Sequence, residues 1–517
     1  MKTGFLRLAI IFILFFTSLS IIQFSTSDLP DNDGFYHIKM AWLMRTESLK
    51  PDFPWLPLTI LNSREFFDHH FLFHAAMIPF TYGDLVVGAK WAAVLFGSLA
   101  FLSVYYLFEK QKIPFAWLWS LCILGVSEGF LYRMSIPRAQ SLSLGILVLG
   151  IAWMLEGKYH RLAVLSFLYV WMYDAYPLIL MLAILYTGAI ALTEQKLDFR
   201  PIIYTTAGLM LGSLINPYFP SNLIFGYRHL LPKLLDATSL NVGNEWYPYT
   251  TLQLLKVSLP AFILAAAGLL GISLNNQKMN TRTMFSLLLV MFFGLMLIFS
   301  RRFIEYFPAF VLIFTCFCLA PYFAKKEASF FDEGIEEIKY NRADFWNGIF
   351  RQPVNRIPAQ GEKFQARFLF VMLLVFCITS SIYSMMLTRN DMQGSYSSQT
   401  YAGSADWLFR HTPAGSLVFQ SDWDDFPRLF FFDTHNTYLA GLDPGYFQIS
   451  NPDLYALWVK ITNGDVKNLS VIIPQKFGAR FIHTDLRHTD FISAVQQDPN
   501  IQEVYRDKDS IIFEIFK

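Results

Sequence analysis

The chain has 517 residues, 54% hydrophobic and 17% aromatic, yet only 16% charged. A soluble chain of this length carries about a quarter charged residues, so an ordinary water-soluble globule is excluded. A formal net charge of +1 gives no basic field for a nucleic-acid partner.

Apolar runs of roughly twenty residues, the length a helix needs to cross a bilayer, recur from the N-terminus onward. The opening "MKTGFLRLAIIFILFFTSLSIIQF" carries Lys2 and Arg7 at a basic end. Its apolar run is too long for an ordinary signal peptide and shows no small-x-small cleavage pattern, so it is read as a retained first span. With that run at 5–25, further spans are predicted near 84–108, 113–131, 138–156, 160–175, 177–193, 201–215, 257–275, 282–299, 303–323 and 367–387. The total is about eleven. Glu128 interrupts the weakest of them, and "FLFHAAMIPF" before the second lies at the interface or re-enters. Cys122, Cys316, Cys318 and Cys377 all fall within apolar runs, which argues against a disulfide framework.

The Lys/Arg bias of short loops sets the orientation. With Lys2 and Arg7 in the cytoplasm, "EKQK", "EGKYHR", "TEQKLDFR", "NNQKMNTR" and "AKKE" fall there too, together with a loop at 324–366. Outer-face loops are then expected at 26–83 and 216–256. From about 388 the composition becomes ordinary. "GSLVFQSDWDDFPRLFFFD" reads as strand, polar loop, strand, "NPDLYALWVKITNG" as a helix, and "GARFIHTD" and "DSIIFEIFK" as strands. The expected fold class is a polytopic α-helical membrane domain, 1–387, followed by a small C-terminal α/β soluble domain, 388–517. The expected location is the cell (inner) membrane, multi-pass, with the N-terminus cytoplasmic and the C-terminal domain extracytoplasmic. Polar clusters gathered on one face suit an enzyme working at one membrane surface. The alternative, a polytopic transporter or lipid flippase, needs polar groups near the midplane.

Five clusters can carry chemistry. In "DNDGFYH", read as extended chain, Asp31 and Asp33 point the same way, with His37 following. Two close carboxylates can share a divalent metal (Mg or Mn), or one can act as general base while the other tunes it. Asp33 also fits as N-cap of the helix that follows. In "REFFDHHFLFH", His70 and His74 are one helical turn apart, a spacing zinc sites use, and Asp68 and His69 are the favoured pair beside a donor or acceptor. In "SRRFIEYFP", Glu305 can pair with Arg301 or Arg302 and leave the other guanidinium free to clamp a phosphate, a role Arg138 in "YRMSIPRAQ" can share with Arg133 beside it. Glu245 and Trp246 in "GNEWYPY" suit a sugar ring, or simply an interfacial aromatic belt. In the tail, Asp424 of "SDWDDF" either binds an acceptor or belongs to an ordinary polar loop.

An acidic motif after the first span, many spans and a soluble C-terminal domain together resemble the GT-C superfamily of membrane glycosyltransferases. "DNDGFYHIK" is similar to the Asp-x-Asp-aromatic-His run of prokaryotic oligosaccharyltransferase catalytic subunits, and the architecture equally resembles mannosyltransferase-like proteins of bacterial membranes. The tail carries "SDWDDF" where the oligosaccharyltransferases carry a Trp-Trp-Asp signature. The resemblance implies a polyprenyl-phosphate-linked sugar donor, a glycan, lipid or protein acceptor, contact with membrane lipids, and inverting transfer at the outer face. Asp31 and Asp33 would be the site carboxylates, as metal ligands or base, with Asp68 beside them. Arg301, Arg302 and Arg138 would take the donor phosphate. His37, His69, His70, Glu245, Trp246 and Asp424 would take sugar or acceptor. Protein glycosylation of the oligosaccharyltransferase kind is the second reading.

Overall fold

A computed structural model describes residues 2–230, 243–275, 279–323 and 360–516. Most of the expected cytoplasmic loop, 324–359, lies outside the described residues, as does part of the second outer loop, 231–242. The chain is a membrane protein. Six described helices are long and apolar enough to cross a bilayer: Phe5–Gln23, Leu85–Lys110, Pro177–Glu194, Thr251–Ser273, Thr281–Phe299 and Phe370–Gln393. A seventh results if Glu128–Ser135 and Gln140–Leu155, bent by 108°, count as one span.

The expected count of about eleven is not confirmed, because an apolar run need not be one long helix. The run at 113–131 breaks into Ala116–Leu121, a 3-10 turn at Cys122–Gly125, and Glu128–Ser135. Ser127 caps the last of these, its Oγ accepting from the Phe130 N–H at 3.2 Å. The runs at 138–156, 160–175 and 201–215 become helices of 16, 13 and 15 residues. At 1.5 Å per residue these reach about 20–24 Å, short of a hydrocarbon core of about 30 Å.

Helix α1 (Lys2–Gln23) packs on α4 (Leu85–Lys110), which also carries the helix Gln140–Leu155 on another side. More than half of the apolar window of α4 is buried (56%) against 22% for α1, so α4 is the internal post and α1 a peripheral one. Between them, residues 24–84 are not simple loop. They contain α2 (Asn32–Thr46), then α3 (Phe71–Met77) with a 3-10 turn at Ile78–Thr81.

The tail folds around a five-stranded mixed sheet in the order β2-β1-β3-β5-β4, where β1 is Leu417–Gln420, β2 Thr437–Tyr438, β3 Phe481–Asp485, β4 Ile501–Arg506 and β5 Ser510–Ile515. β1 pairs in parallel with β2 and β3, while β5 runs antiparallel to β3 and β4. One expected strand is corrected: "FPRLFFF" is a helix, Phe426–Phe432. Pro427 at its first turn costs no intrahelical bond and pre-sets the helical φ.

This small domain grips the segment after the first span. Trp55 Nε1 donates to the Thr434 carbonyl at 2.9 Å, and the Tyr438 N–H donates to the Trp55 carbonyl at 2.8 Å. Arg428 donates from Nε to Asn32 Oδ1 at 2.9 Å and stacks over Phe35. The two parts therefore share a mixed aromatic core that includes Tyr36, Phe53, Trp55, Phe426 and Phe430.

Candidate functional site

The site begins with the way α2 starts. Asp31, in extended conformation, is the N-cap, and its Oδ2 accepts from the Gly34 N–H at 3.0 Å. Asp33 therefore lies in the first helical turn, not in an extended run and not at the cap as the sequence allowed. Gly34 is required by proximity: a Cβ there would stand 2.6 Å from Pro137 Cγ. That contact holds the start of α2 against the turn between the bent helices Glu128–Ser135 and Gln140–Leu155. The turn carries Arg138.

Arg138 binds Asp31 with two parallel bonds, Nε to Oδ2 at 2.8 Å and Nη2 to Oδ1 at 2.6 Å. The same Nη2 is 3.1 Å from Asp33 Oδ2, and Nη1 is 3.6 Å from Glu245 Oε2. Glu245 also takes Arg133 Nη2 at 2.9 Å and Arg302 Nη1 at 2.8 Å. Arg302 donates its other nitrogen to Tyr173 Oη at 2.7 Å and lies over the Trp246 ring. Three carboxylates and three guanidiniums thus interlock.

Glu305 corrects an expectation. It pairs with Arg133, Nε to Oε1 at 2.7 Å, and not with Arg301 or Arg302. Glu305 is fully buried beside Glu128–Ser135, while Arg302 turns to Glu245 and Tyr173. Arg301 serves the backbone, donating to the carbonyls of Tyr247 and Pro248 at 3.1 and 3.0 Å.

A cavity of about 410 Å³ opens beside this cluster. Among the residues singled out in the sequence, Asp33, His37, His69, His70, Arg138, Glu245, Trp246 and Arg302 line it. Asp31 stands behind Arg138, and Asp68 behind His74. Arg301 is not in the wall. Asp424 touches the start of α2, its Oδ1 accepting from Asn32 Nδ2 at 3.0 Å. The wall also holds Tyr36, Gln140, Tyr173, Asp174, Tyr306, Asp443 and Tyr446, none of which sequence reading had assigned to the site. "MYDAYP" was the only local signal for two of these, and it is no different from an interfacial aromatic cluster.

Burial sets the electrostatics. It pushes the Asp33 carboxyl up to about 7 against the pull of Arg138, with Asp31, Asp424 and Glu245 adding to the rise. Burial also raises Asp424. At Glu245 burial acts in the same direction, but Arg302, Arg133 and Arg138 outweigh it and hold the group far below the usual carboxylate range. Burial lowers His37, His69 and His70, so all three imidazoles are neutral at pH 7. Asp33 is the carboxylate poised to exchange a proton near neutrality.

His70 and His74 do not act as a zinc pair. His74 is fully buried, with Nδ1 at 2.7 Å from Asp68 Oδ2 and Nε2 at 2.8 Å from His37 Nδ1. Asp68 also accepts the His70 N–H at 2.9 Å. This Asp68–His74–His37 chain fixes the ring of His37 in the cavity wall. His74→Ala strands the Asp68 carboxylate and is expected to cost about 1–3 kcal/mol of stability, read as a lowered melting temperature in detergent.

Among the described residues no group of three or more His, Cys, Asp or Glu side chains is arranged to hold a metal ion. Asp31 and Asp33, expected to share a divalent metal, share a guanidinium instead. With Arg138 between them, no metal site is evident at the pair among the described residues.

No protein-family model matches the chain, and no curated protein matches it. Solved structures do, and they define the class of fold: the chain has the GT-C glycosyltransferase fold. Among its neighbours are membrane glycosyltransferases of three kinds. It is similar to the oligosaccharyltransferase AglB of Archaeoglobus fulgidus solved with Zn and sulfate, at TM-score 0.62 and 13% identity, over 95% of this chain and 70% of that one. It is also similar to ArnT of Cupriavidus metallidurans bound to undecaprenyl phosphate, at TM-score 0.55 and 14% identity, over 99% and 98%. The third is the arabinofuranosyltransferase AftD from Mycobacteria, at TM-score 0.59 and 14% identity; 99% of this chain covers 40% of that one.

Proposed function

We propose that this protein is a membrane glycosyltransferase that moves a sugar from a polyprenyl-phosphate-linked donor to an acceptor hydroxyl, with inversion, at the extracytoplasmic face. The observation that carries the reading is one cavity wall holding both Asp33, whose carboxyl burial pushes up to about 7, and the half-buried guanidinium of Arg302. The acceptor hydroxyl gives its proton to Asp33 Oδ as its oxygen bonds to the anomeric carbon. The bond from that carbon to the phosphate oxygen breaks, and the electron pair leaves with the phosphate, whose charge Arg302 meets. Arg138 and Asp31 hold Asp33 in place. Trp246 and the neutral imidazoles of His37, His69 and His70 line the part of the cavity where sugar or acceptor would sit. Leu178, Met296, Phe299 and Phe303 give the same cavity an apolar side next to two spans, which suits a polyprenyl chain. Among the neighbours, AglB has been solved with dolichol-phosphate and ArnT with undecaprenyl phosphate. The Lys/Arg bias of the loops supports a cytoplasmic N-terminus and an outer C-terminal domain.

Transfer to protein is the second reading, favoured by the AglB likeness, since one AglB structure holds a tethered acceptor peptide.

The test is donor turnover by the purified protein in nanodiscs, across polyprenyl-phosphate and polyprenyl-diphosphate sugars, with and without a sequon peptide and a chelator. Turnover with inversion is expected, unchanged by the chelator because Arg138 occupies the carboxylate pair. Folded protein that turns over no donor would sink the proposal. Loss of turnover on chelation, restored by metal, would instead refute the role given to Arg138.

A further inference from the structure

Asp33 and His37 are one helical turn apart on α2 and both line the main cavity, with Cβ atoms about 5–6 Å from each other. Behind His37, the chain through His74 to Asp68 fixes the protons as well as the ring. A carboxylate only accepts, so the 2.7 Å contact puts a proton on His74 Nδ1, which donates to Asp68 Oδ2. A neutral His74 then has a bare Nε2, and His37 Nδ1 donates to it at 2.8 Å. Burial keeps the His37 ring neutral, with His74 and Arg138 adding to the effect, so its own Nε2 carries a lone pair and no proton. Phe73 and His70 stand edge-on to that ring, with centroids 5.1 and 4.9 Å away, and hold it against rotation. Among the described residues His37 Nε2 has no hydrogen-bond partner. Unlike His69 Nδ1 and His70 Nδ1, it is not sealed inside the protein.

We infer that Asp68 and His74 hold His37 as an acceptor-only nitrogen in the cavity wall, where it selects a second substrate hydroxyl beside the one that Asp33 deprotonates. The inference rests on the transferase reading and adds a specificity-determining residue to it. A bare nitrogen repels phosphate oxygens, which belong with Arg302, and offers nothing to a ligand that can only accept. It asks for an O–H or N–H. A substrate with two hydroxyls about one helical turn apart meets Asp33 and His37 together, and polyhydroxylated rings at the reacting centre supply such pairs. The second hydroxyl belongs to the transferred sugar or to the acceptor, and the bond to nitrogen is the same in either case. Asp68 and His74 are not in the cavity wall. They are positioning residues, and His37 is the one that touches substrate.

The test is nitrogen NMR on the full chain in nanodiscs with isotope-labelled histidine, the His37 signals being assigned by their loss in His37→Gln. Near neutral pH the wild type is expected to show His37 protonated at Nδ1 and bare at Nε2. His74→Leu should release it into a mixture of both tautomers, a change that a packing role alone would not produce. The probes are polyprenyl-phosphate hexoses and pentoses as donors, methyl glycosides as acceptors, and a sequon peptide. A donor that moves the Nε2 signal places the hydroxyl on the transferred sugar; a methyl glycoside that moves it places the hydroxyl on the acceptor. Binding of the active probe should weaken about tenfold in His37→Leu. It should recover in His37→Gln, whose amide offers a donor to His74 and an acceptor to the hydroxyl. A wild-type His37 protonated at Nε2, as an imidazolium at His74 would make it, overturns the inference. So does an Nε2 signal moved by the peptide alone or by no probe, or unweakened binding in His37→Leu. A bare Nε2 moved by glycosides without donor turnover would keep His37 and sink the transferase reading, whereas turnover with Nε2 protonated would do the reverse.

Discussion

Asp33→Asn is expected to lower sugar transfer by about 10²–10⁴-fold while the protein remains folded. The argument depends on what the amide keeps and what it loses. Asp31 still caps α2 and still holds Arg138 with two bonds, so the frame survives. The proton acceptor does not. In the wild type the rate should climb with pH through about 7, because the base works only once its proton has gone and burial has pushed that step up to about 7. Stability runs the other way. A carboxyl raised in the folded state binds its proton more tightly there than in the unfolded chain, so between about 4 and about 7 folding loses stability as pH rises. The amide carries no such penalty. Asp33→Asn is therefore expected to flatten the pH dependence of melting in that window and to be at least as stable as the wild type at pH 8. Activity falling while stability holds or rises separates a chemical role from a merely structural one. Transfer within a fewfold of wild type in Asp33→Asn would end the assignment of Asp33 as base.

How much of this was legible in the sequence follows from the range of the forces involved. The apolar runs and the small α/β tail depend on composition and local pattern, and they could be read. Helix breaks could not. The break between 131 and 138 was an exception, but at Ser127 the chain ends one helical turn and caps the next inside a single apolar run, which leaves no periodic trace. The same holds for charge partners. Arg302 and Glu305 are three apart and look like a pair, yet each finds a better partner more than fifty residues away in sequence, Glu245 and Arg133. The Asp31–Arg138 pair spans 107 residues. Eight of the residues singled out in the sequence line one cavity, but sequence proximity paired them badly. His74 shows the limit most clearly, because its one-turn spacing from His70 suggested a shared metal when it in fact joins Asp68 to His37.

Arg138→Met should produce the largest loss of stability of any single change in the cluster, about 3–5 kcal/mol, seen as a large drop in melting temperature in detergent. The guanidinium faces Asp31, Asp33 and Glu245 at once. Without it, Asp31 is a carboxylate with a side chain only 7% exposed and one N–H for a partner. The loss comes mainly from that stranded charge, not from the net worth of the ion pair, and a double substitution tests this. Asn is as good an N-cap as Asp, so Asp31→Asn leaves the start of α2 intact while removing the charge. The pair Asp31→Asn with Arg138→Met should be markedly more stable than Arg138→Met alone, with a coupling on the order of 1–3 kcal/mol. Transfer should stay low in both, because Asp33 then faces Glu245 with no cation between them, and its carboxyl moves further upward and out of range as a base at pH 7. Stability recovered without activity would mean that Arg138 does two separable things: it balances the charge that burial makes expensive, and it keeps Asp33 ionisable near neutrality. If Arg138→Met alone melted like the wild type, Asp31 would be reached by water or another cation, and the cluster could not be the closed charge network that its geometry describes.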